Sequence, residues 1–304
     1  LDTIPFPDWD QIDLRDYRDL CNANEFPIQA EVYASIFTSR GCPWRCVFCH
    51  NFFGRKARTR SPGTVLDELE LLVRDHGVGE IHIHDDMFNV DGDRLEAICD
   101  GIVERGLDLR IAFPNGLRAD RLTRRHLEKL ATAGCYHMCM ALESAVPRLQ
   151  ELMRKHLDVD RVLENARIAS ELGIMPAAFV MIGLPTETRE EIRANMEAVV
   201  HSHFDQLRLF VACPHPGTEM YDLAVEHGFD PSGLPADQLQ YDWERGSVNC
   251  TDLPDDEFRG LVQEFQQRFW SHPPRVERLR RAHEERGVPL PYDPRMQGRE
   301  KDPR

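Results

Sequence analysis

Short apolar runs alternate with amphipathic segments along most of the chain, beginning at Glu31. Each run is long enough for one strand, and each is followed by a loop and by apolar residues at helical spacing. There are six such units, with strand candidates at 33–40, 80–85, 109–113, 136–143, 176–183 and 206–213. Strands that alternate with helices predict a parallel sheet in an α/β protein.

The segments between the runs carry the signals of helix ends. Ser61 and Pro62 precede apolar residues at helical spacing that stop at Gly77, which predicts a helix between them. Thr188, with Glu191 three residues later, predicts a capping box at the start of another helix. No dinucleotide-binding fingerprint follows the first strand. This favours an incomplete parallel (β/α)6 barrel, a partial TIM barrel, over a doubly wound sheet.

The same pattern divides the chain into four parts. Residues 1–30 are rich in proline and aspartate and are interpreted as an extended lead-in or linker to a barrel domain over 31–228. Residues 229–290 are predicted to form a loop and a helical C-terminal appendage, with the helical pattern at 255–285. Residues 291–304 are predicted to be a disordered tail. We expect the active site to lie in the barrel domain and not in the appendage.

Composition narrows the possible functions. The 304 residues carry a formal net charge of −15, from 52 acidic and 37 basic residues, which argues against a nucleic-acid partner or an anionic membrane surface. No apolar run reaches the roughly 18 residues that a membrane span needs, and no signal peptide is visible. Nine cysteines are an odd number in a chain too large to need disulfides. Reduced thiols or metal ligands in the cytoplasm are therefore expected.

Three cysteines lie close together in the loop after the first strand. Cys42, Cys46 and Cys49 have the spacing Cys-x-x-x-Cys-x-x-Cys, at the carboxyl end of the strand, where parallel barrels carry their active sites. One short loop of this kind can wrap a cubane cluster, with three thiolates on three irons and one iron left open. A structural zinc site completed by His50 is the main alternative, but adjacent ligands at Cys49 and His50 make tetrahedral ligation awkward.

The triad, with aromatic Phe48 before its last cysteine, resembles the signature of the radical S-adenosylmethionine (SAM) superfamily. The resemblance covers about residues 31–228 and implies a 4Fe–4S cluster whose open iron is chelated by the amino and carboxylate groups of SAM. It also implies reductive cleavage of SAM to methionine and a 5′-deoxyadenosyl radical. An electron donor such as flavodoxin or ferredoxin is the partner that this chemistry implies.

The resemblance further implies SAM contacts at the ends of later strands. In HIHDDMF, residues 82–88, Asp85 and Asp86 replace the Gly-Gly-Glu stretch that usually meets the methionine amino group. These carboxylates could accept the ammonium directly or cap the following loop. Glu143, followed by Ser144, closes the fourth strand at a position from which the superfamily contacts SAM. A carboxylate in a barrel mouth needs a partner, and a ribose hydroxyl or an ammonium would serve.

The last two strands carry the elements that resemble the adenine site. FVMIGLPTET contains Ile182 and Gly183, where the superfamily holds adenine through the backbone and glycine permits close approach. VACPHPGT begins at Val211 and matches the segment that lines the other edge of adenine. Inside the barrel, alternation from Glu143 predicts that Cys139 and His137 also face inward. No catalytic residue is assigned.

The lead-in LDTIPFPDWDQIDLRDY and the phrases MIGLPTET and PHPGTEMY resemble the cobalamin-binding branch of the superfamily. No cobalamin-domain sequence is present, which is expected for a chain cut at its linker. The resemblance implies the catalytic domain of a cobalamin-dependent methyltransferase that acts on a small molecule. The alternatives are a non-methylating enzyme of the same branch, a non-catalytic iron–sulfur or zinc protein, and a nucleic-acid-modifying methylthiotransferase. Substrate and oligomeric state stay open.

Overall fold

The structure is a computed structural model, which describes residues 1–17, 28–230, 232 and 248–286. The predicted tail over 291–304 lies outside the described residues, as does part of the predicted linker. Within the described parts of the chain, no helix is both long enough and apolar enough to cross a membrane.

The main sheet has six strands, all parallel, and each strand pairs with the next one along the chain. Its strands are β1 (Tyr33–Ile36), β4 (Glu80–Ile83), β5 (Arg110–Leu117), β6 (Cys135–Glu143), β7 (Met175–Ile182) and β8 (Gln206–Val211). A separate antiparallel ribbon joins β2 (Ser39–Arg40) to β3 (Arg58–Thr59). The predicted incomplete barrel is confirmed, since the strand order never reverses and the sheet does not close on itself.

Nine helices are described. They are α1 (Pro62–His76), α2 (Gly92–Glu104), α3 (Arg124–Thr132), α4 (Pro147–Leu152), α5 (Val159–Glu171), α6 (Arg189–Val200), α7 (Glu219–Glu226), α8 (Asp255–Ser271) and α9 (Pro273–Arg286). The predicted caps are confirmed. The Ser61 side chain accepts a hydrogen bond from the Thr64 backbone at the start of α1, and Thr188 and Glu191 form a capping box at the start of α6.

Side chains of the sheet alternate between two faces. On β7, Ala178, Val180 and Ile182 are fully buried in the core between sheet and helices. Phe179 and Met181 lie between them in sequence, point to the other face and are only partly buried. The helices thus cover one face of the sheet, and we call the other, which lines the open barrel, the concave face.

The C-terminal helices join the same core. Phe258, Phe265 and Phe269 of α8 are completely buried in the main cluster beside the barrel helices. The continuous helical pattern predicted over 255–285 divides into two helices, because His272 is extended ahead of Pro273 and the residue before a proline disfavours the helical region. The segment predicted as an appendage therefore shares the hydrophobic core of the barrel.

Candidate cofactor site at the carboxyl ends of the strands

The cysteine loop is closed at its base by the β2–β3 ribbon. Gly41 has φ 88°, and a Cβ there would lie 2.6 Å from the Lys56 carbonyl oxygen, so only glycine fits. The Cys42 amide donates to the Gly54 carbonyl at 3.3 Å, and Asn51 Nδ2 donates to the Cys42 carbonyl at 3.0 Å. The first cysteine is thereby fixed against the returning half of its own loop.

Val47 anchors the middle of the loop to the barrel. Its amide donates to the Met153 carbonyl at 3.1 Å, and its carbonyl accepts from the Met220 amide at 3.0 Å. Its side chain is buried in a second apolar cluster with Leu149 and Leu184. Because Val47 follows Cys46 directly, this anchor holds the last two cysteines beside α4 and α7.

The three thiols share one electrostatic environment. Burial raises the pKa of Cys42, Cys46 and Cys49, that of Cys49 to about 11, and their mutual repulsion raises the pKa values of Cys42 and Cys49 further. The Lys155 ammonium lowers the pKa of all three thiols. Metal binding at this loop must displace thiol protons, and Lys155 is placed to favour that loss.

The loop does not have the geometry of a mononuclear metal site. Among the described residues, no three His, Cys, Asp or Glu side chains are grouped as ligands of a single ion. A cubane differs in this respect, because each of its thiolates binds a separate iron. His50, the fourth ligand in the zinc alternative, instead donates through Nε2 to the Pro216 carbonyl at 2.9 Å. The donor set of the loop therefore suits a cluster better than zinc.

Asp85 holds the end of β1 in place. Its carboxylate accepts hydrogen bonds from the Thr38 amide and Oγ1, at 2.5 Å each, and from Ser39 Oγ at 2.7 Å. Burial raises the pKa of Asp85, whereas these donors lower it. These contacts tie Asp85 to the end of β1 and the start of β2, and not to the loop that follows β4. The ammonium contact predicted for Asp85 stays a prediction, and any such contact would share oxygens that already accept these three hydrogen bonds.

Asp86 is placed differently. It is only partly buried, and Oδ2 accepts the Gly41 amide at 2.7 Å, directly before the first cysteine. Its charge also acts on the thiols of Cys42 and Cys49. Asp86 thus lies at the edge of the cysteine loop and can accept a further hydrogen bond from a cationic ligand.

Glu143 ends β6 with an unusual backbone conformation. It has φ 61°, which is strained for a residue other than glycine and is often associated with functional sites. Its side chain is buried, with the residue 6% exposed, and Oε1 accepts a hydrogen bond from Lys155 Nζ at 2.6 Å. Lys155 is itself 7% exposed and lies over the Phe48 ring at 5.6 Å. The carboxylate predicted at this position therefore has a cationic partner within the chain.

The sequence did not identify Lys155 as a site residue. Its flanking residues Arg154 and His156 both have positive φ, and this strained turn directs the lysine inward. Arg118 supports the turn by donating to the Lys155 carbonyl at 2.7 Å while its guanidinium stacks on Trp44 of the cysteine loop at 4.7 Å. The available signal was composition, because only four lysines occur in the chain: Lys56, Lys129, Lys155 and Lys301.

The predicted adenine elements lie side by side at the ends of β7 and β8. Ile182 and Val211 are register partners, and both side chains are buried in the core. Gly183 has φ 84°, and a Cβ there would come within 2.8 Å of the Phe258 ring. Ser144 is fully buried, and its Oγ accepts the Val146 amide at 3.1 Å. Any nucleoside contact from these positions must therefore come from backbone groups.

Glu187 fixes the turn after Gly183. Its Oε2 accepts the amides of Gly183 and Leu184 at 2.6 and 3.0 Å. Burial raises the pKa of Glu187 to about 8, against these hydrogen bonds, which lower it. The turn is thus held by a side chain from its own loop.

Comparison with known proteins places this site within a recognised sequence family. The profile of the Radical SAM superfamily matches residues 36–199, more than half of the chain. Cytidylyl-2-hydroxyethylphosphonate methyltransferase of Streptomyces wedmorensis is 31% identical over 281 residues, which are 88% of this chain and 52% of that protein. Anaerobic magnesium-protoporphyrin IX monomethyl ester cyclase of Cereibacter sphaeroides is 27% identical over 186 residues, covering 60% and 30% respectively.

Among solved structures, the fold is similar to that of the radical S-adenosylmethionine methyltransferase TsrM from Kitasatospora setae with cobalamin and a 4Fe–4S cluster bound. The TM-score is 0.58 and the identity 22%, over 68% of this chain and 38% of that one. The chain spans about half or less of the length of each of these relatives.

The pairing of Glu143 with Lys155 predicts strong energetic coupling in the metal-free protein. Lys155→Met and Glu143→Gln should each lower the free energy of unfolding by about 3 kcal/mol, because each leaves a buried charge without its partner. The double variant should lose clearly less free energy of unfolding than the two single variants lose together. Urea unfolding at pH 7 measures all four proteins.

The matched control is the ion pair between Arg154 and Glu219, which has the same 2.6 Å separation but side chains that are 53% and 51% exposed. Arg154→Met and Glu219→Gln should show a coupling of less than about 1 kcal/mol. A coupling energy for Lys155 and Glu143 as small as that for Arg154 and Glu219 would contradict the assignment of a buried, energetically coupled ion pair.

Proposed function

The chain belongs to the radical SAM superfamily, and from that premise we propose that its cysteine loop holds a 4Fe–4S cluster whose open iron binds S-adenosylmethionine. The observation that carries the proposal is the placement of Cys42, Cys46 and Cys49 around a shared cation at the carboxyl ends of parallel strands. Family membership implies both the cluster and SAM, and the donor set of the loop fits them.

When bound and reduced, the cluster would supply the electron that cleaves the SAM sulfonium to methionine and a 5′-deoxyadenosyl radical. The residues of the chain would bind and orient SAM. Asp86 and Glu143 offer carboxylates to the ammonium or ribose of SAM, with Lys155 holding Glu143 in place. Family resemblance assigns adenine to the backbone near Gly183 and Val211, where β7 and β8 end side by side, and Phe48 packs beside Lys155.

For the whole protein, we propose methylation of a small molecule with the help of cobalamin. The relatives that support this are named as methyltransferases, and the solved TsrM structure contains cobalamin. The alternative is a non-methylating reaction of the same branch, favoured by the likeness to the anaerobic cyclase.

We also propose an acidic electron-transfer protein, such as a flavodoxin or ferredoxin, as partner. Residues 40–60, which contain the cysteine loop, carry six basic residues and no acidic one, in a chain with a net charge of −15. Phe52 in this loop is 89% exposed. Opposite charges steer such encounters.

The first test is the cluster itself. Anaerobic reconstitution should give about four iron and four sulfide per chain, and Cys42→Ala, Cys46→Ala or Cys49→Ala should remove part or all of them. Cys99→Ala is the matched control, because this thiol is buried in the core away from the loop. Zinc in place of iron, or a cluster retained when all three loop cysteines are replaced, would overturn the proposal.

The second test is SAM binding and cleavage. With dithionite as reductant, the reconstituted protein should release methionine and 5′-deoxyadenosine. Glu143→Gln should raise the dissociation constant for SAM about tenfold to a hundredfold, because a charged hydrogen bond contributes about 1.5–3 kcal/mol. Asp85→Asn should lower the melting temperature but change that constant less than about twofold. Unchanged SAM binding in Glu143→Gln would leave this residue a purely structural role.

The third test separates methylation from the alternative. The full-length gene product, expressed with added cobalamin, should retain bound corrinoid and transfer a ¹³C-labelled methyl group from SAM to a small-molecule product. A protein without corrinoid would remove the methylation proposal. Bound corrinoid with 5′-deoxyadenosine formation but no labelled product would favour the non-methylating reaction.

A further inference from the structure

Arg208 lies on the concave face of the sheet. Its neighbours Leu207 and Leu209 on β8 pack into or against the core on the helix side. Arg208 therefore points to the other face, in register with Phe179 of β7. It precedes Val211 by three residues, which places it about 10 Å below the carboxyl end of the strand.

The charge of Arg208 has no counterpart within the described structure. No described carboxylate forms an ion pair with it, and its Nε is buried without a hydrogen-bond partner among the described residues. Other internal arginines have oxygen partners: Arg60 pairs with Glu68 and Arg118 with Asp120, while Arg94 and Arg275 donate to backbone carbonyls. A partly buried guanidinium without an anion is unusual, because desolvation costs free energy that a partner normally offsets.

The groups nearest to Arg208 do not supply that anion. Burial raises the pKa of the Cys139 thiol on β6 to about 12, although the nearby charge of Arg208 lowers it. His137, two residues earlier on the same strand, donates through Nε2 to Gln206 Oε1 at 3.0 Å, and burial lowers its pKa to about 3. Both groups are therefore neutral at physiological pH, and neither supplies an anion to Arg208.

Beside Arg208 the concave face carries two partly exposed aromatic rings. The rings of Phe179 and Phe210 meet edge to face with centroids 5.4 Å apart, and both residues are partly exposed. The Phe179 ring packs over Gly116, where an added Cβ would lie 3.3 Å from it, and beside its register partner Ala141. Aromatic rings next to one cation suit a ligand with an apolar or planar body and an anionic group.

We propose that Arg208 binds an anionic group of the substrate, a carboxylate, phosphate or phosphonate, while the body of the substrate packs on Phe179 and Phe210. That the anion belongs to a substrate rests on the proposed function, whereas the anion site itself does not. The position of Arg208 below the strand ends places the anionic group about 10 Å from the level of the SAM site. The reacting atom is then expected at the opposite end of the substrate from its charge.

The test uses phenylphosphonate as probe on the metal-free chain, with benzyl alcohol as the uncharged aromatic and methylphosphonate as the anion without a ring. Titration calorimetry should show phenylphosphonate binding to wild type, at least tenfold weaker binding to Arg208→Met, and partial retention in Arg208→Lys. Arg193→Met, which removes an exposed arginine on α6, is the control and should bind as wild type does. Equal binding to wild type and Arg208→Met, or equal binding of all three probes, would overturn the proposal.

A second measurement separates a binding role from a structural one. Without ligand, Arg208→Met should melt at the same temperature as wild type or higher, since it removes an unmatched charge. Arg60→Met, which breaks the buried pair with Glu68, should melt lower. A drop for Arg208→Met as large as that for Arg60→Met would assign Arg208 to the fold and refute the site. Failure of SAM cleavage in wild type would refute the proposed function and leave the anion titration unaffected.

Discussion

The buried ion pair between Lys155 and Glu143 connects the parts on which the site depends. It joins the end of β6 to the turn after α4, and the lysine charge acts on all three loop thiols. A loop that must deprotonate three cysteines beside Asp86 and Glu143 would otherwise accumulate negative charge in a half-buried place. The strained turn around Lys155 and the left-handed backbone of Glu143 are maintained because this pair and Arg118 hold them.

The fold supplies the geometry around that pair. Parallel strands that follow one another in order end at one edge, so side chains and loops from distant parts of the sequence meet there. The β2–β3 ribbon, Asp85 and the Val47 anchor fix the cysteine loop above this edge. Below it, the concave face is left without helices and carries the aromatic pair and Arg208. In the proposed arrangement, cofactor chemistry and substrate recognition occupy successive levels of one open barrel.

Periodicity and spacing were sufficient to predict the architecture. The six strands, their parallel arrangement and the helix caps follow from local patterns, and the cysteine loop follows from ligand spacing. Features that depend on long-range contacts were not predictable. The sequence could not show that Asp85 turns toward Thr38, because both roles require the same carboxylate at the same strand end. Lys155 was not predicted, because this loop lysine becomes a site residue only through the strained turn that buries it.

The central claim is that three cysteines leave one iron open for SAM. Electron–nuclear double resonance on the reduced, reconstituted protein tests it most directly, with SAM carrying ¹⁵N in the amino group and ¹⁷O in the carboxylate. The account predicts hyperfine coupling of the cluster to both labels, as direct coordination of the open iron requires. Bound SAM without coupling to either label would contradict it, because the empty position left by Cys42, Cys46 and Cys49 would then have another occupant.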